Sequence, residues 1–191
     1  MIAIIGGLNM KKVVVICASP RKHGNSEMIA DQLIKGAIDA GHEVEKIILN
    51  QYMMKPCLAC EYCRTHENQC IQKDDANKII DKIIHADVFV FASPIYFYSL
   101  NAQLKILIDR FFAREYEIRE SANRKKAYLI LTSGTKDIKQ TTGAVESFRG
   151  FIKVLRTVDE GGIIYGLGAF LKGDALKHAA YLEAYEKGKE I

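Results

Sequence analysis

The stretch Lys12-Val-Val-Val-Ile-Cys-Ala-Ser-Pro-Arg-Lys-His-Gly-Asn-Ser26 decides the fold. Its first half is an apolar run without polar alternation, as expected of a strand covered on both faces. Its second half gathers Ser, Pro, Gly and Asn. Next comes Met28–Ala40, where Ile29, Leu33 and Ala37, with Ala30, Ile34 and Ile38 beside them, repeat at helical spacing. A buried strand, a loop and an amphipathic helix make the first half of a βαβ unit.

The alternation continues outward. Glu43–Leu49 reads as a second strand, after Gly41-His42 ends the helix. Ile79, Ile80, Ile83 and Ile84 form a helical stripe, with Asp74-Asp75 placed to cap it. Asp87–Ala92, Ala127–Thr132 and Thr157–Tyr165 read as strands three to five. Leu104, Leu107, Ile108 and Phe111 mark the helix between the third and fourth strands. Val145, Phe148, Ile152 and Leu155 mark the next, and a last helix is expected over Asp174–Lys187. Five strands alternating with five helices predict an α/β fold, a parallel sheet with helices on both sides. With no repeat, low-complexity tract or linker in view, residues 10–191 read as one domain. Residues 1–9 read as an N-terminal extension of unknown role.

Composition narrows the classes. The 191 residues are 49% hydrophobic and 26% charged, which gives an ample core and excludes a disordered chain. No apolar run approaches the ~18–20 residues of a membrane-spanning helix. A formal charge of +4 with scattered basic residues gives no reason to expect nucleic acid. The first residues lack the basic start and long apolar run of a signal peptide, so a cytoplasmic location with reduced thiols is expected.

In such sheets ligands bind outside the carboxyl ends of the strands. The loops there begin at Ser19, near Met53, at Ser93, at Ser133 and near Gly166. The only three prolines, Pro20, Pro56 and Pro94, begin three of these loops. Ser19-Pro-Arg-Lys-His-Gly-Asn-Ser26 places hydroxyls, an amide and two cations at a helix N-terminus, a combination suited to a phosphate. The same residues also suit simple N-capping by Asn25 or Ser26. With Gly24 the only glycine in this loop, the dinucleotide fingerprint is missing. Gly168-Ala-Phe-Leu-Lys-Gly173 has the glycine spacing of a P-loop, but Asp174-Ala175 follows instead of Lys-Ser/Thr. A monophosphate such as that of FMN fits better. Ser93-Pro-Ile-Tyr-Phe-Tyr-Ser-Leu-Asn101 sets aromatics where a planar ligand would lie. These rings could equally pack a subunit interface.

Ser19-Pro-Arg-x-x-Gly-Asn-Ser26, Ser93-Pro-Ile-Tyr96 and Leu104-Lys105…Asp109-Arg110 together resemble the flavodoxin-like NAD(P)H-dependent FMN reductase family. The resemblance implies a flavodoxin-like three-layer sandwich with strand order 2-1-3-4-5 and non-covalent FMN. It implies NAD(P)H as electron donor and a homodimer or homotetramer. Carried over by position, Ser19, Arg21, Asn25 and Ser26 would hold the phosphate. Pro94, Ile95, Tyr96 and Phe97 would line the isoalloxazine, and Ser133, Gly134 and Thr135 would form the third flavin loop.

Four of the five cysteines lie in Cys57-x-x-Cys60-x-x-Cys63-x6-Cys70. This spacing is similar to that of iron–sulfur ligands, whereas structural zinc favours two separated Cys-x2-Cys pairs. The segment through Asp74-Asp75 resembles the iron–sulfur flavoprotein branch of the same family, which implies a [4Fe–4S] cluster near the FMN of a neighbouring subunit. Similar loops also occur with FMN alone, so a cluster, reduced redox-labile thiols and zinc all stand open. Cys17 reads as a core residue. His42, His85 and His178 read as helix-end residues favouring the C-terminal dipole, His23 and His66 as solvated loop residues. Arg114–Arg124 reads as a charged solvated stretch or an assembly surface.

The expected function is an FMN-dependent oxidoreductase passing electrons from NAD(P)H to a quinone, flavin, nitro or azo compound, or metal ion. The flavin would perform the chemistry without a side-chain acid or base. The alternative is an iron–sulfur flavoprotein electron carrier fed by a ferredoxin-like protein. A zinc-binding regulator is the third reading.

Overall fold

Residues 10–191 are described by a computed structural model, so the expected extension 1–9 lies outside the described residues. Five parallel strands form the sheet: β1 (Lys12–Cys17), β2 (Glu43–Ile48), β3 (Val88–Tyr96), β4 (Lys125–Ser133) and β5 (Val158–Leu167). Their order is β2-β1-β3-β4-β5, the predicted flavodoxin-like order. β1 lies inside the sheet, with Val15 opposite Lys46 on one side and Val90 on the other.

Successive strand residues point to opposite faces, and both faces are covered. Val14, Ile16, Phe89, Phe91, Leu129 and Leu131 pack under α2 (Ala76–His85), α3 (Ala102–Arg110) and α4 (Thr142–Leu155). Val13, Val15, Val88, Val90 and Ile130 pack under α1 (Asn25–Asp39) and α5 (Ala179–Lys189). This double burial is why β1 shows no polar alternation, and each fully buried Val, Ile or Phe contributes about 1.5–3 kcal/mol. α5 lies close on α1 because both present glycine: a Cβ on Gly36 would overlap the Tyr185 carbonyl oxygen.

Three boundaries depart from expectation. α1 starts at Asn25 rather than Met28, because Gly24, in extended conformation, is its N-cap. β3 runs on to Tyr96 because a two-residue strand, Ser99–Leu100, folds back onto Ile95 and Tyr96. The expected last helix is broken into a 3-10 turn, Asp174–Lys177, and α5. His178 makes the break. Its backbone is extended, and its Nδ1 accepts the Ala180 N–H at 3.1 Å. It therefore caps a helix N-terminus, where no cation is favoured.

Candidate functional site

β1, β3, β4 and β5 are neighbours in the sheet, so the loops after them leave from one edge. After β1, Ser19 Oγ accepts the Arg21 N–H at 3.2 Å, and the Gly24 N–H donates to the Arg21 carbonyl at 3.0 Å. The turn is tight enough that a Cβ on Gly24 would lie 3.0 Å from that carbonyl oxygen. The first N–H groups of α1 follow, without acceptors inside the helix. Buried Glu27 fastens the loop by accepting the His23 N–H at 2.7 Å and pairing with Lys46 at 2.9 Å. Burial alone would raise the Glu27 pKa. Its hydrogen bond and attraction to Lys46, then the His23 contacts, outweigh that and hold it below the ordinary value.

Asn25 is buried and its side chain is committed elsewhere in the protein. Nδ2 donates to the Ala169 and Leu171 carbonyls at 3.0 and 2.8 Å, and Oδ1 accepts the Gly173 and Ala175 N–H groups at 3.0 and 3.2 Å. The amide thereby clasps the loop after β5 to the loop after β1. Arg21 Nη1 adds a bond to the Phe170 carbonyl at 3.2 Å. Ser26 is buried in the first turn of α1.

Pro94, Ile95 and Tyr96 end β3, and Phe97-Tyr98 forms a two-residue hairpin turn between Tyr96 and Ser99. Both turn residues have left-handed backbone, φ 47° for Phe97 and 65° for Tyr98. Two-residue hairpins favour Asn-Gly here because a Cβ crowds the backbone at positive φ, a strain that Gly lacks and Asn tolerates. Phe97 is nonetheless fully exposed, and Tyr96 and Tyr98 are largely so. Beneath the turn, buried Asn101 joins strand ends: its N–H donates to Ser93 Oγ at 3.2 Å, and Nδ2 donates to the Ala18 carbonyl at 2.6 Å. Gly143, in α4, lets that helix approach the turn, since a Cβ there would lie 2.5 Å from the Tyr98 carbonyl oxygen.

After β4, Ser133 Oγ accepts the Thr135 N–H at 3.2 Å. The Gly168 N–H donates to the Ser133 and Thr135 carbonyls at 2.7 and 2.8 Å. The Phe170 ring lies over Gly134, where a Cβ would sit 2.6 Å from its Cδ2. Phe170 and Asn101 lie among these loops, although the sequence alone gives neither a role there. Gly168 and Gly173, both at positive φ after the last strand, were the available signal for the Phe170 loop.

The cysteine segment is a loop closed at its neck. The Met53 N–H donates to Asp75 Oδ2 and its carbonyl accepts the Asp75 N–H, both at 3.0 Å. Lys55 N–H donates to Asp74 Oδ2 at 2.9 Å, and Gln72 Nε2 donates to the Pro56 carbonyl at 2.9 Å. Asp74, not Asp75, gives the side-chain cap of α2, accepting the Ala76 N–H at 3.2 Å. Cys57, Cys60, Cys63 and Cys70 all line one cavity of about 610 Å³ between this loop, α3 and α4. Ala59, Glu61, Glu67 and Asn68 hold left-handed backbone around them. Burial raises the Cys63 thiol pKa, a backbone hydrogen bond opposes it, and the neighbouring Cys70, Cys57 and Cys60 add smaller raising contributions. Among the described residues no three His, Cys, Asp or Glu side chains converge on a single metal position.

Cys17 is a core residue as expected, its thiol pushed up to about 12 by burial, with Lys46 opposing. His42 departs from its expected cationic role. Burial, then Lys11, lower its pKa, and its Nδ1 accepts the Lys11 N–H at 3.4 Å. The charged stretch after Arg114 forms a short helix, Glu115–Arg119, anchored by buried Ile118. Among the described residues no helix is long and apolar enough to cross a membrane.

The sequence pattern of the NADPH-dependent FMN reductase family matches residues 11–166, from β1 almost to the end of β5. This chain belongs to that family. The match stops just before the Phe170 loop. An iron-sulfur flavoprotein of Methanocaldococcus jannaschii is 36% identical over 99 residues, covering 52% of this chain and 51% of that protein. An iron-sulfur flavoprotein of Archaeoglobus fulgidus is 37% identical over 130 residues, covering 66% and 61%. The chain thus spans about half to three-fifths of these curated relatives. Among solved structures, an FMN-dependent NADH-azoreductase from Bacillus anthracis in complex with FMN superposes with a TM-score of 0.70. It covers 95% of this chain and 99% of its own at 14% identity, a likeness of fold.

Proposed function

We propose that this family member binds FMN across the carboxyl edge of the sheet and passes electrons from NAD(P)H to a small acceptor. Candidate acceptors are a quinone, a free flavin, a nitro or azo compound, or a metal ion. The observation that carries this reading is the Phe97-Tyr98 turn. Two bulky residues held at positive φ cost on the order of 1–3 kcal/mol each, and such strain clusters at ligand sites. Bound FMN would supply the two-electron chemistry. Ser19, Arg21, Ser26 and the first N–H groups of α1 would hold its phosphate, with Asn25 holding the neighbouring loop in place. Pro94, Ile95, Tyr96 and Phe97 would line the isoalloxazine. Ser133, Gly134 and Thr135 would form the third loop around the flavin, beside its polar edge. Phe170, over Gly134, would limit water on that side. The reading includes a cytoplasmic homodimer or homotetramer exchanging electrons with small-molecule or protein partners.

The test is anaerobic mixing of FMN-loaded protein with NADH or NADPH, followed by addition of a quinone. Bleaching of the flavin and its recovery on quinone addition support the proposal. A flavin that neither nucleotide bleaches overturns the reductase reading, and failure to bind FMN overturns the site.

A second reading, an iron–sulfur flavoprotein carrying electrons from a ferredoxin-like donor, is favoured by the cysteine cavity. Four thiols lining one cavity match the four-cysteine ligand set of an iron–sulfur cluster. Cys57, Cys60, Cys63 and Cys70 would each hold one iron of a [4Fe–4S] cluster. Iron and sulfide analysis of anaerobically purified protein decides it, and protein with neither rules it out.

A further inference from the structure

Arg110, the last residue of α3, is the largest fully buried side chain among the described residues. Its Nη1 donates to Asp74 Oδ2 at 2.6 Å and to the Lys55 carbonyl at 2.9 Å, while Nη2 donates to Cys70 Sγ at 3.3 Å. Its Nε is buried without a partner. An unpaired buried donor is costly, and a buried cation more so unless it is matched. A hydrophobic residue would close the neck without that cost. The fork instead ties Lys55, before the first of the four cysteines, to Cys70, the last, and it lines the same cavity as all four.

We propose that Arg110 is a positioning residue for the metal–sulfur centre of this loop. It fixes Cys70 opposite Cys57, Cys60 and Cys63, and sets a permanent positive charge and an N–H···S contact against the thiolates. This rests on the iron–sulfur reading above. Four thiolates give such a centre net negative charge, and reduction adds more. A neighbouring cation and hydrogen bonds to sulfur therefore stabilise the reduced state more than the oxidised one, which raises the reduction potential. Lysine would keep the charge but lose the fork that reaches Asp74, Lys55 and Cys70 together.

The experiment compares wild type, Arg110→Lys, Arg110→Gln and the double variant Arg110→Gln/Asp74→Asn, which leaves no lone buried carboxylate. Each is reconstituted anaerobically with ferrous iron and sulfide, and FMN binding checks the fold. Iron and sulfide per chain, iron loss to a chelator and the potential from an electron-paramagnetic-resonance-monitored titration are measured. The expected result is a lower potential and faster iron loss in both Gln variants, with Arg110→Lys between them and wild type. FMN-binding variants that match wild type in potential and iron retention overturn the assignment and leave the cluster reading standing. Wild type that takes up neither iron nor sulfide overturns both, leaving the flavin reading untouched.

Discussion

Arg110 and Asp74 meet at 2.6 Å across 36 residues of sequence, and their side chains are almost wholly out of water. The pair joins the end of α3 to the start of α2, recruiting the Lys55 N–H and carbonyl at the neck of the cysteine loop and the Ala76 N–H at the helix start. Removing one member leaves the other as an uncompensated buried charge. Asp74→Ala should therefore destabilise the protein by about 3–5 kcal/mol. Urea denaturation of the FMN-loaded protein measures this, and a loss below 1 kcal/mol would show that water reaches the pair.

The same pair sets an acid limit. Burial tends to raise the Asp74 pKa, but hydrogen bonds from Arg110 and then from the Lys55 and Ala76 N–H groups hold it below its ordinary 3.8. A depressed folded pKa contributes stability above the unfolded pKa of about 3.9, lost as pH falls through the folded value. Amide exchange across residues 53–75 should stay slow from neutral pH down to about 4 and then accelerate before the β1 amides do. Asp74→Asn, with no carboxylate to titrate, should lack that step. A wild-type step at pH 6 instead would place the titration elsewhere.

Asn25 looks in sequence like a cap or a phosphate ligand, and in the structure its side chain is a clasp between two loops. Asn25→Ala removes four hydrogen bonds and leaves Gly173 and Ala175 N–H groups without their acceptor. Each unsatisfied buried group costs about 1–3 kcal/mol. The variant should show accelerated amide exchange at residues 169–175 and weaker FMN binding in titrations that follow flavin fluorescence. Weaker binding with unchanged exchange at 169–175 would instead return Asn25 to direct contact with the phosphate.

What the sequence made legible, and what it hid, follows from the range of the interactions involved. β1 and the Ser19–Ser26 loop were readable because strand burial and loop chemistry are written in consecutive residues. The sheet order required the family resemblance, since strand neighbours are separated by whole helices. The clasp by Asn25 could not be read, because its partners are backbone groups 144 to 150 residues further on. Arg110 was noticed only as part of a motif, for its partners Asp74 and Cys70 lie 36 and 40 residues back. The break before α5 was hidden because Asp174–Lys187 contains neither proline nor an internal glycine, and His178 makes the break through a cap that spacing does not reveal. The return strand at Ser99–Leu100 was missed for a different reason. Its turn carries Phe-Tyr where local preference asks for Asn-Gly.

That mismatch supports a last prediction. Replacing Phe97-Tyr98 by Asn-Gly gives the hairpin residues that tolerate φ values of 47° and 65° without strain. If the native pair is kept for the ligand and not for the fold, the double variant should gain about 1–3 kcal/mol of stability in the FMN-free protein. It should lose FMN affinity at the same time, because Phe97 and the exposed ring of Tyr98 are removed from the cofactor edge. Stability is read from urea midpoints of apoprotein and affinity from flavin fluorescence. Opposite signs for the two changes locate the strain at the cofactor site. A variant that loses stability in the apoprotein would show that these aromatics hold the fold, and would remove the observation on which the flavin reading chiefly rests.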